Sequence, residues 1–127
     1  MPTDRDGTLL LVEDEDLLRT LVSQFLQSSG FSVVEAADGP EALRRIDEDG
    51  PFDLALVDLN LPRLSGVDVC RSLRGRWPQH PVIICSAAVL DEHEVALRRL
   101  GIDHYLTKPY HPEVLLEHVS RWLGRAA

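Results

Sequence analysis

Five short apolar runs recur along the chain and predict five β-strands. The runs are TLLLV, FSVVE, DLALV, PVIIC and HYLT, at residues 8–12, 31–35, 53–57, 81–85 and 104–107. Three of them are almost continuous leucine, valine and isoleucine, which is typical of strands that are buried on both faces of a parallel sheet.

The segments between these runs have apolar residues at helical spacing and predict helices. The first such segment follows the i, i+3, i+4 rule at Leu17, Leu18, Leu21, Val22, Phe25 and Leu26. The alternation of strand and helix, repeated five times, predicts an α/β fold with a parallel sheet and right-handed crossovers. We expect one domain over residues 1–127, with residues 1–7 as a frayed tail.

Local signals mark where several of the predicted helices begin and end. Asp38 with Glu41 has the spacing of a capping box before the second helix, and Asp91 with Glu94 has the same spacing before the fourth. Gly101 is expected to end the fourth helix. Pro112, suited to a first helical turn, is expected to begin the fifth.

Charge and cysteine content narrow the class of protein. The net charge of −8 and the pI of about 5.0 argue against nucleic-acid or anionic-membrane binding, which both require clustered lysine and arginine. Cys70 and Cys85 lie in apolar patterns without metal-ligand spacing, which indicates buried free thiols in a reducing compartment. No stretch of about 18 apolar residues occurs, and we expect a cytoplasmic domain. The five histidines have no paired spacing and predict no metal site of their own.

Polar side chains follow four of the five predicted strands. Glu13 and Asp14 come after the first strand and Asp58 after the third, followed by Asn60. Taken singly, each acidic residue is more readily explained as a helix cap or a loop residue. In open parallel sheets, however, ligands bind beyond the carboxyl ends of the strands. We therefore expect these side chains to converge at one edge.

Two further groups are expected at the same edge. Ser86 follows the fourth strand, and Lys108 follows the fifth and is the only lysine among 13 cationic residues. Three converging carboxylates repel one another and favour a hard divalent cation such as Mg²⁺. With a lysine and a hydroxyl opposite, the set of groups suits phosphoryl transfer to a carboxylate.

The motifs LLLVEDED, LVDLNLPRLSG, VIICSA and HYLTKPY together resemble the receiver domain of two-component response regulators over essentially the full length. The resemblance implies a flavodoxin-like (βα)5 fold, a doubly wound five-stranded parallel sheet of strand order 2-1-3-4-5. It also implies that Asp58 is both the phosphoacceptor and a residue of the metal site, and that Asp14 is a direct Mg²⁺ ligand. Glu13 would reach the metal through water, and the backbone carbonyl of Asn60 would complete the site.

The resemblance assigns roles to four further positions. Ser86 would contact the phosphoryl oxygens, and Lys108 would pair with the acceptor and its phosphoryl group. Tyr105 stands at the aromatic switch position, and Gly66 follows the acceptor loop. The Lys108–Pro109 peptide bond is expected to be cis.

The implied partners are a histidine kinase or a histidine phosphotransfer protein as donor, and an effector domain or downstream protein as target. The target would bind the face made by the fourth helix, the fifth strand and the fifth helix, and the resemblance also allows a phosphorylation-dependent dimer. The domain would catalyse its own phosphorylation and dephosphorylation without turning over an external substrate.

Three alternative functions fit the sequence less well than a phosphoacceptor domain. A phosphorylation-independent interaction module ranks lower, because degenerate receivers lose the acceptor, an acidic neighbour or the lysine, and all three are present. A phosphatase of the haloacid dehalogenase type requires D-x-D, whereas the chain has Asp58-Leu59-Asn60. A flavin-binding flavodoxin requires a phosphate-binding loop after the first strand, where this chain has EDED.

Overall fold

The computed structural model describes residues 7–124, in which five strands and five helices alternate. The strands are β1 (Thr8–Val12), β2 (Ser32–Ala36), β3 (Leu54–Val57), β4 (Val82–Ser86) and β5 (Tyr105–Thr107). The helices are α1 (Asp16–Ser28), α2 (Gly39–Asp49), α3 (Gly66–Arg76), α4 (Asp91–Arg99) and α5 (Pro112–Trp122). Each predicted strand is found within one residue of its predicted bounds.

The strands form one parallel sheet in the order β2-β1-β3-β4-β5. This confirms the predicted flavodoxin-like (βα)5 topology. No helix within residues 7–124 is long and apolar enough to cross a membrane.

Both faces of the sheet are covered, which explains the nearly continuous apolar strands. Leu10 and Val12 of β1 belong to the core beneath α2, α3 and α4, while Leu9 and Leu11 belong to the core beneath α1 and α5. All four are at most 3% exposed. Because successive strand residues point to opposite faces, a strand with a core on each side requires an apolar residue at every position.

Of the four sequence signals for helix ends, those at Asp38, Gly101 and Pro112 are confirmed and the one at Asp91 is wrong. Asp38 caps α2 by accepting a hydrogen bond of 2.8 Å from the Glu41 N–H. The Glu41 carboxylate accepts from the Ala37 N–H at 2.7 Å rather than from Asp38 itself. Gly101 ends α4 with a positive φ of 75°, and Pro112 is the first residue of α5.

The predicted cap at Asp91 is wrong, because Asp91 already lies inside α4. The N-cap residue is Leu90, whose carbonyl accepts the first helical hydrogen bond, 3.0 Å from the Glu94 N–H. Starting one residue earlier leaves the Asp91 carboxylate in the first turn, where the helix dipole favours a negative charge without a specific hydrogen bond. Sequence spacing alone does not separate these two positions.

The predicted tail falls almost entirely outside the described residues. Residues 1–6 lie outside them, whereas the Gly7 carbonyl accepts a hydrogen bond from the Ser32 N–H at 3.0 Å. Gly7 is therefore joined to the start of the sheet. The predicted burial of both cysteines is confirmed, and burial raises the pKa of the Cys70 and Cys85 thiols to about 12.

Candidate functional site at the carboxyl edge of the sheet

Three carboxylates meet where β1 and β3 end. Glu13 and Asp14 directly follow β1, and Asp58 directly follows β3. Oxygen atoms from all three lie within 4.8 Å of one another. Glu13 and Asp58 are buried, at 2% and 4% exposure, whereas Asp14 is exposed. The convergence expected from the strand order is therefore present.

Lys108 projects from the end of β5 into this cluster. Its Nζ lies 2.8 Å from Asp58 Oδ2 and 2.7 Å from Glu13 Oε1. The contact with Asp58 was expected, but the equally short contact with Glu13 was not. A single ammonium thus neutralises charge on two buried carboxylates, which would otherwise repel each other.

Burial and ion pairing shift the pKa values of Lys108 and Glu13 in opposite directions. Burial disfavours the charged form of Lys108, but its hydrogen bonds to Asp58 and Glu13 outweigh that effect and raise the pKa of the ammonium. For Glu13, burial dominates and raises the pKa of the carboxyl, although hydrogen bonds from Lys108 and from the Glu15 N–H oppose the rise. Both shifts follow from placing charges at an edge that is only partly open to water.

Backbone groups fix the two buried carboxylates. The Asn60 N–H donates to Asp58 Oδ1 at 3.0 Å, and the Glu15 N–H donates to Glu13 Oε2 at 3.1 Å. Each of these carboxylates therefore has one oxygen held by the backbone and the other by Lys108. The next turn of chain returns close to Asp58, since a Cβ added at Gly66 would collide with the Asp58 carbonyl oxygen. Only glycine allows this approach.

Ser86 is the last residue of β4, and its hydroxyl forms two hydrogen bonds within the site. Its hydroxyl accepts a hydrogen bond of 3.2 Å from Asn60 Nδ2 and donates one of 3.1 Å to the Ala88 carbonyl. The Ser86 carbonyl accepts from the Lys108 N–H at 3.1 Å. Ser86 is not a helix cap, because α4 begins at Asp91. The Asn60 side chain therefore has a structural contact that the sequence did not suggest, in addition to the predicted role of its carbonyl.

Tyr105 lies at the start of β5, away from the carboxylates. It pairs in register with Ile84 and packs, half-buried, against the core beneath α2, α3 and α4. Burial raises the pKa of its hydroxyl. The peptide bond between Lys108 and Pro109 is cis, as predicted.

Arg19 is a site residue that sequence reasoning missed. Its guanidinium donates to the Glu13 carbonyl at 2.9 Å and forms ion pairs with Asp16 at 2.8 Å and Glu35 at 3.3 Å. It thereby fastens the turn after β1 to α1 and β2. The available signal was an arginine three residues before Val22 and seven before Leu26, which places it on the buried side of α1.

The donor set fits a hard divalent cation. Mg²⁺ takes oxygen ligands, requires near-octahedral geometry and usually keeps several waters. Asp14 offers an exposed carboxylate beside two buried ones, and all the candidate ligand atoms are oxygens. Lys108 occupies one oxygen of each buried carboxylate, so an ion and the ammonium would share them.

A flavodoxin-like sheet with an acidic pocket and one lysine at its carboxyl edge defines a narrow class of α/β domain. The family model described as the response regulator receiver domain matches residues 9–120. The chain belongs to this family.

Similar proteins agree with this assignment. The alkaline phosphatase synthesis transcriptional regulatory protein PhoP of Bacillus subtilis is 36% identical over 118 residues, which cover 93% of this chain and 49% of PhoP. The sensory transduction protein RegX3 of Mycobacterium tuberculosis H37Rv is 39% identical over 118 residues, covering 93% of this chain and 51% of RegX3. The chain thus spans about half the length of the curated relatives it matches.

Solved structures agree at the level of the fold. A CheY-like receiver domain protein from Methanospirillum hungatei superimposes with a TM-score of 0.86 at 30% identity, covering 92% of this chain and 93% of that one. The chemotaxis protein CheY4 of Vibrio cholerae gives a TM-score of 0.82 at 30% identity, covering 91% and 97%. Both match nearly end to end, as expected for a receiver domain.

Proposed function

We propose that Asp58 is the phosphoacceptor of this receiver domain and that Mg²⁺ supports the transfer. The observation that carries the proposal is the fixed position of the Asp58 carboxylate, held by Lys108 at 2.8 Å and by the Asn60 N–H at 3.0 Å beside two other acidic groups. The reaction forms a bond between an Asp58 oxygen and phosphorus, and it breaks the phosphorus–nitrogen bond of a donor phosphohistidine. A histidine kinase or phosphotransfer protein of the cytoplasm is the proposed donor.

The residues around Asp58 have separate tasks in this proposal. Asp14, Asp58 and the Asn60 carbonyl would hold Mg²⁺, with Glu13 reaching it through water. The ion, when bound, would neutralise negative charge on the transferring group. Lys108 places a positive charge against the two buried carboxylates, 2.7 Å from Glu13 and 2.8 Å from Asp58, and would stay beside the phosphoryl oxygens once they arrive. A compact ammonium on a flexible stem suits this movement better than a planar guanidinium.

Ser86 would convert phosphorylation into a change of conformation. Its hydroxyl now donates to the Ala88 carbonyl, so donating instead to a phosphoryl oxygen would release the segment that follows β4. Tyr105, on the neighbouring strand, could then turn further inward against the core. Phosphorylation would thus bias the face formed by α4, β5 and α5, where an effector or a second copy would bind.

The proposal is tested by labelling with a small phosphodonor such as acetyl phosphate. The wild type should take up about one phosphoryl group per chain with Mg²⁺ and none with a chelator, and Asp58→Asn should take up none. The test concerns the receiver domain alone, which the family model matches over residues 9–120. Absence of labelling in folded, Mg²⁺-saturated wild type would favour the phosphorylation-independent interaction module instead.

A further inference from the structure

His104 and His118 form a pair at the opposite end of β5 from the acidic site. His104 directly precedes β5, and His118 lies on α5. His104 Nε2 and His118 Nδ1 are 2.7 Å apart, and the ring centroids are 4.9 Å apart. The two residues are 14 positions apart in the sequence, so no local spacing signals the pair.

The surroundings leave this pair accessible and favour the neutral form of the His104 ring. Both histidines are half-buried, and His104 opens on a cavity of about 240 Å³ that Trp122 also lines. Burial, followed by the nearby His118, lowers the pKa of His104, while Asp103 opposes and Arg121 adds to this shift. A neutral imidazole has a free lone pair, which is the form that binds metals.

The separation of the two nitrogens suits a particular class of ion. With metal–nitrogen bonds of about 2.0–2.1 Å, a tetrahedral ion needs nitrogens roughly 3.4 Å apart, whereas adjacent positions of a square-planar ion need roughly 2.9 Å. The observed 2.7 Å is closer to the planar arrangement. Each ring must also turn to direct its lone pair at the ion. Both side chains are only half-buried, which leaves room for this rotation.

We propose that His104 Nε2 and His118 Nδ1 form a binding site for a square-planar divalent transition metal, with Cu²⁺ bound most tightly. Imidazole nitrogen suits this class of ion, and affinity among the divalent metals is highest for Cu²⁺. One of the facing nitrogens carries a proton in the hydrogen-bonded pair. That proton leaves to water on binding, and the same ring takes up a proton at its other nitrogen. Water, from the open side, supplies the remaining ligands.

The two metal sites of the domain would be chemically distinct. The acidic edge offers carboxylate oxygens and suits Mg²⁺, whereas the histidine pair offers nitrogen and would discriminate strongly against Mg²⁺. A metal at the pair would link the start of β5, next to Tyr105, to α5. The ion would therefore restrain the same strand that the proposed switch uses.

The test is a calorimetric titration of the full chain with Cu²⁺ in saturating Mg²⁺, which occupies the acidic edge. Wild type should bind one Cu²⁺. His104→Gln and His118→Gln should each weaken binding at least about tenfold, since loss of even an outer-shell partner commonly costs about 10- to 100-fold. His111→Gln is the matched control, because His111 is exposed at the surface, and it should leave the affinity unchanged.

A second measurement does not depend on the folding of the His104 and His118 variants. In wild type, substoichiometric Cu²⁺ should broaden the imidazole NMR signals of His104 and His118 before those of the other histidines. Cu²⁺ should also quench Trp122, whose ring lies 5.2 Å from His104, and Trp122→Phe should remove that part of the quenching. Equal broadening of all histidines, or an affinity unchanged in both pair variants, would overturn the proposal.

Discussion

Lys108 is the residue on which the electrostatics of the site depend. It is the only lysine of the chain, and its ammonium contacts two buried carboxylates within 2.8 Å. Removing one partner of a buried ion pair leaves charge without compensation, which costs more than the pair contributes. Arginine in the same place would present a wider, planar group to two carboxylates that approach from different strands.

Replacing Lys108 by methionine should therefore destabilise the metal-free domain by about 2 kcal/mol. Mg²⁺ should bind this variant more tightly than wild type, because the ion no longer shares the carboxylates with an ammonium. Urea unfolding with and without Mg²⁺ measures both effects. Arg71→Met, which removes an exposed ion pair with Asp68, is the control and should change little. Weaker Mg²⁺ binding by Lys108→Met would contradict the electrostatic account.

Gly66 shows how one missing side chain shapes the acceptor loop. A Cβ there would collide with the Asp58 carbonyl, whereas a Cβ at Gly75, in the same helix, would meet nothing within 4 Å. Gly66→Ala should destabilise the domain by about 1–3 kcal/mol through overpacking, while Gly75→Ala should stabilise it by up to about 1 kcal/mol. Chemical denaturation of the two variants checks this. Equal changes in stability for the two variants would mean that the segment after Asp58 can move away from α3 to make room for the added Cβ.

At the residue scale, the sequence predicts which groups converge but not how they pair. Strand order placed Asp58 and Lys108 at one edge, and both are there. The contact between Lys108 and Glu13, and the anchoring of Glu13 by Arg19, depend on side-chain directions in the turn after β1. Neither hydrophobic periodicity nor motif spacing contains that information.

At the scale of elements, the strands were predictable because burial on both faces leaves little choice of residue. The first residues of the helices were less predictable than the strands, as Asp38 and Asp91, which have the same capping-box spacing, demonstrate. Asp38 lies before its helix and accepts a backbone hydrogen bond, whereas Asp91 lies within its helix without one. The difference is a shift of one residue, which is smaller than spacing rules resolve.

Replacement by alanine should accordingly reduce the stability of the domain more at Asp38 than at Asp91. Asp38→Ala should cost about 1 kcal/mol through loss of the α2 cap. Asp91→Ala should change stability by less than about 0.5 kcal/mol, since the better helix propensity of alanine offsets the lost charge–dipole attraction. Thermal unfolding of both variants in parallel gives the comparison. A larger loss for Asp91→Ala would show that α4 begins later than described.

At the scale of the whole molecule, the acidic edge and the proposed output face share β4 and β5. Ser86 ends β4 inside the site, and β5 runs beside it, with Thr107 opposite Ser86 and Tyr105 opposite Ile84. A change at Ser86 therefore lies one strand away from Tyr105. The fold itself was predictable in full, since five β-α units with short connections leave few topologies.

Beryllofluoride, a stand-in for a phosphoryl group, tests this connection. With Mg²⁺ it should shift the backbone NMR signals of Ala88 and Tyr105 as well as those next to Asp58, while signals of Ile46 in α2 stay in place. Asp58→Asn should show none of these shifts. Lys108→Arg should fold normally yet show smaller shifts at Tyr105. If only the NMR signals of residues next to Asp58 shift, the domain would accept the phosphoryl group without transmitting a change to Tyr105, which would contradict the proposed switch.

The central claim is that Asp58, and no other acidic residue, receives the phosphoryl group. An aspartyl phosphate is a mixed anhydride, so borohydride reduces it to homoserine while free carboxylates remain unchanged. After treatment with acetyl phosphate and Mg²⁺, followed by borohydride, peptide mapping should find homoserine at position 58. Homoserine at position 14 or at any aspartate other than Asp58, or 5-hydroxynorvaline, the corresponding product of a glutamyl phosphate, at position 13, would contradict the account.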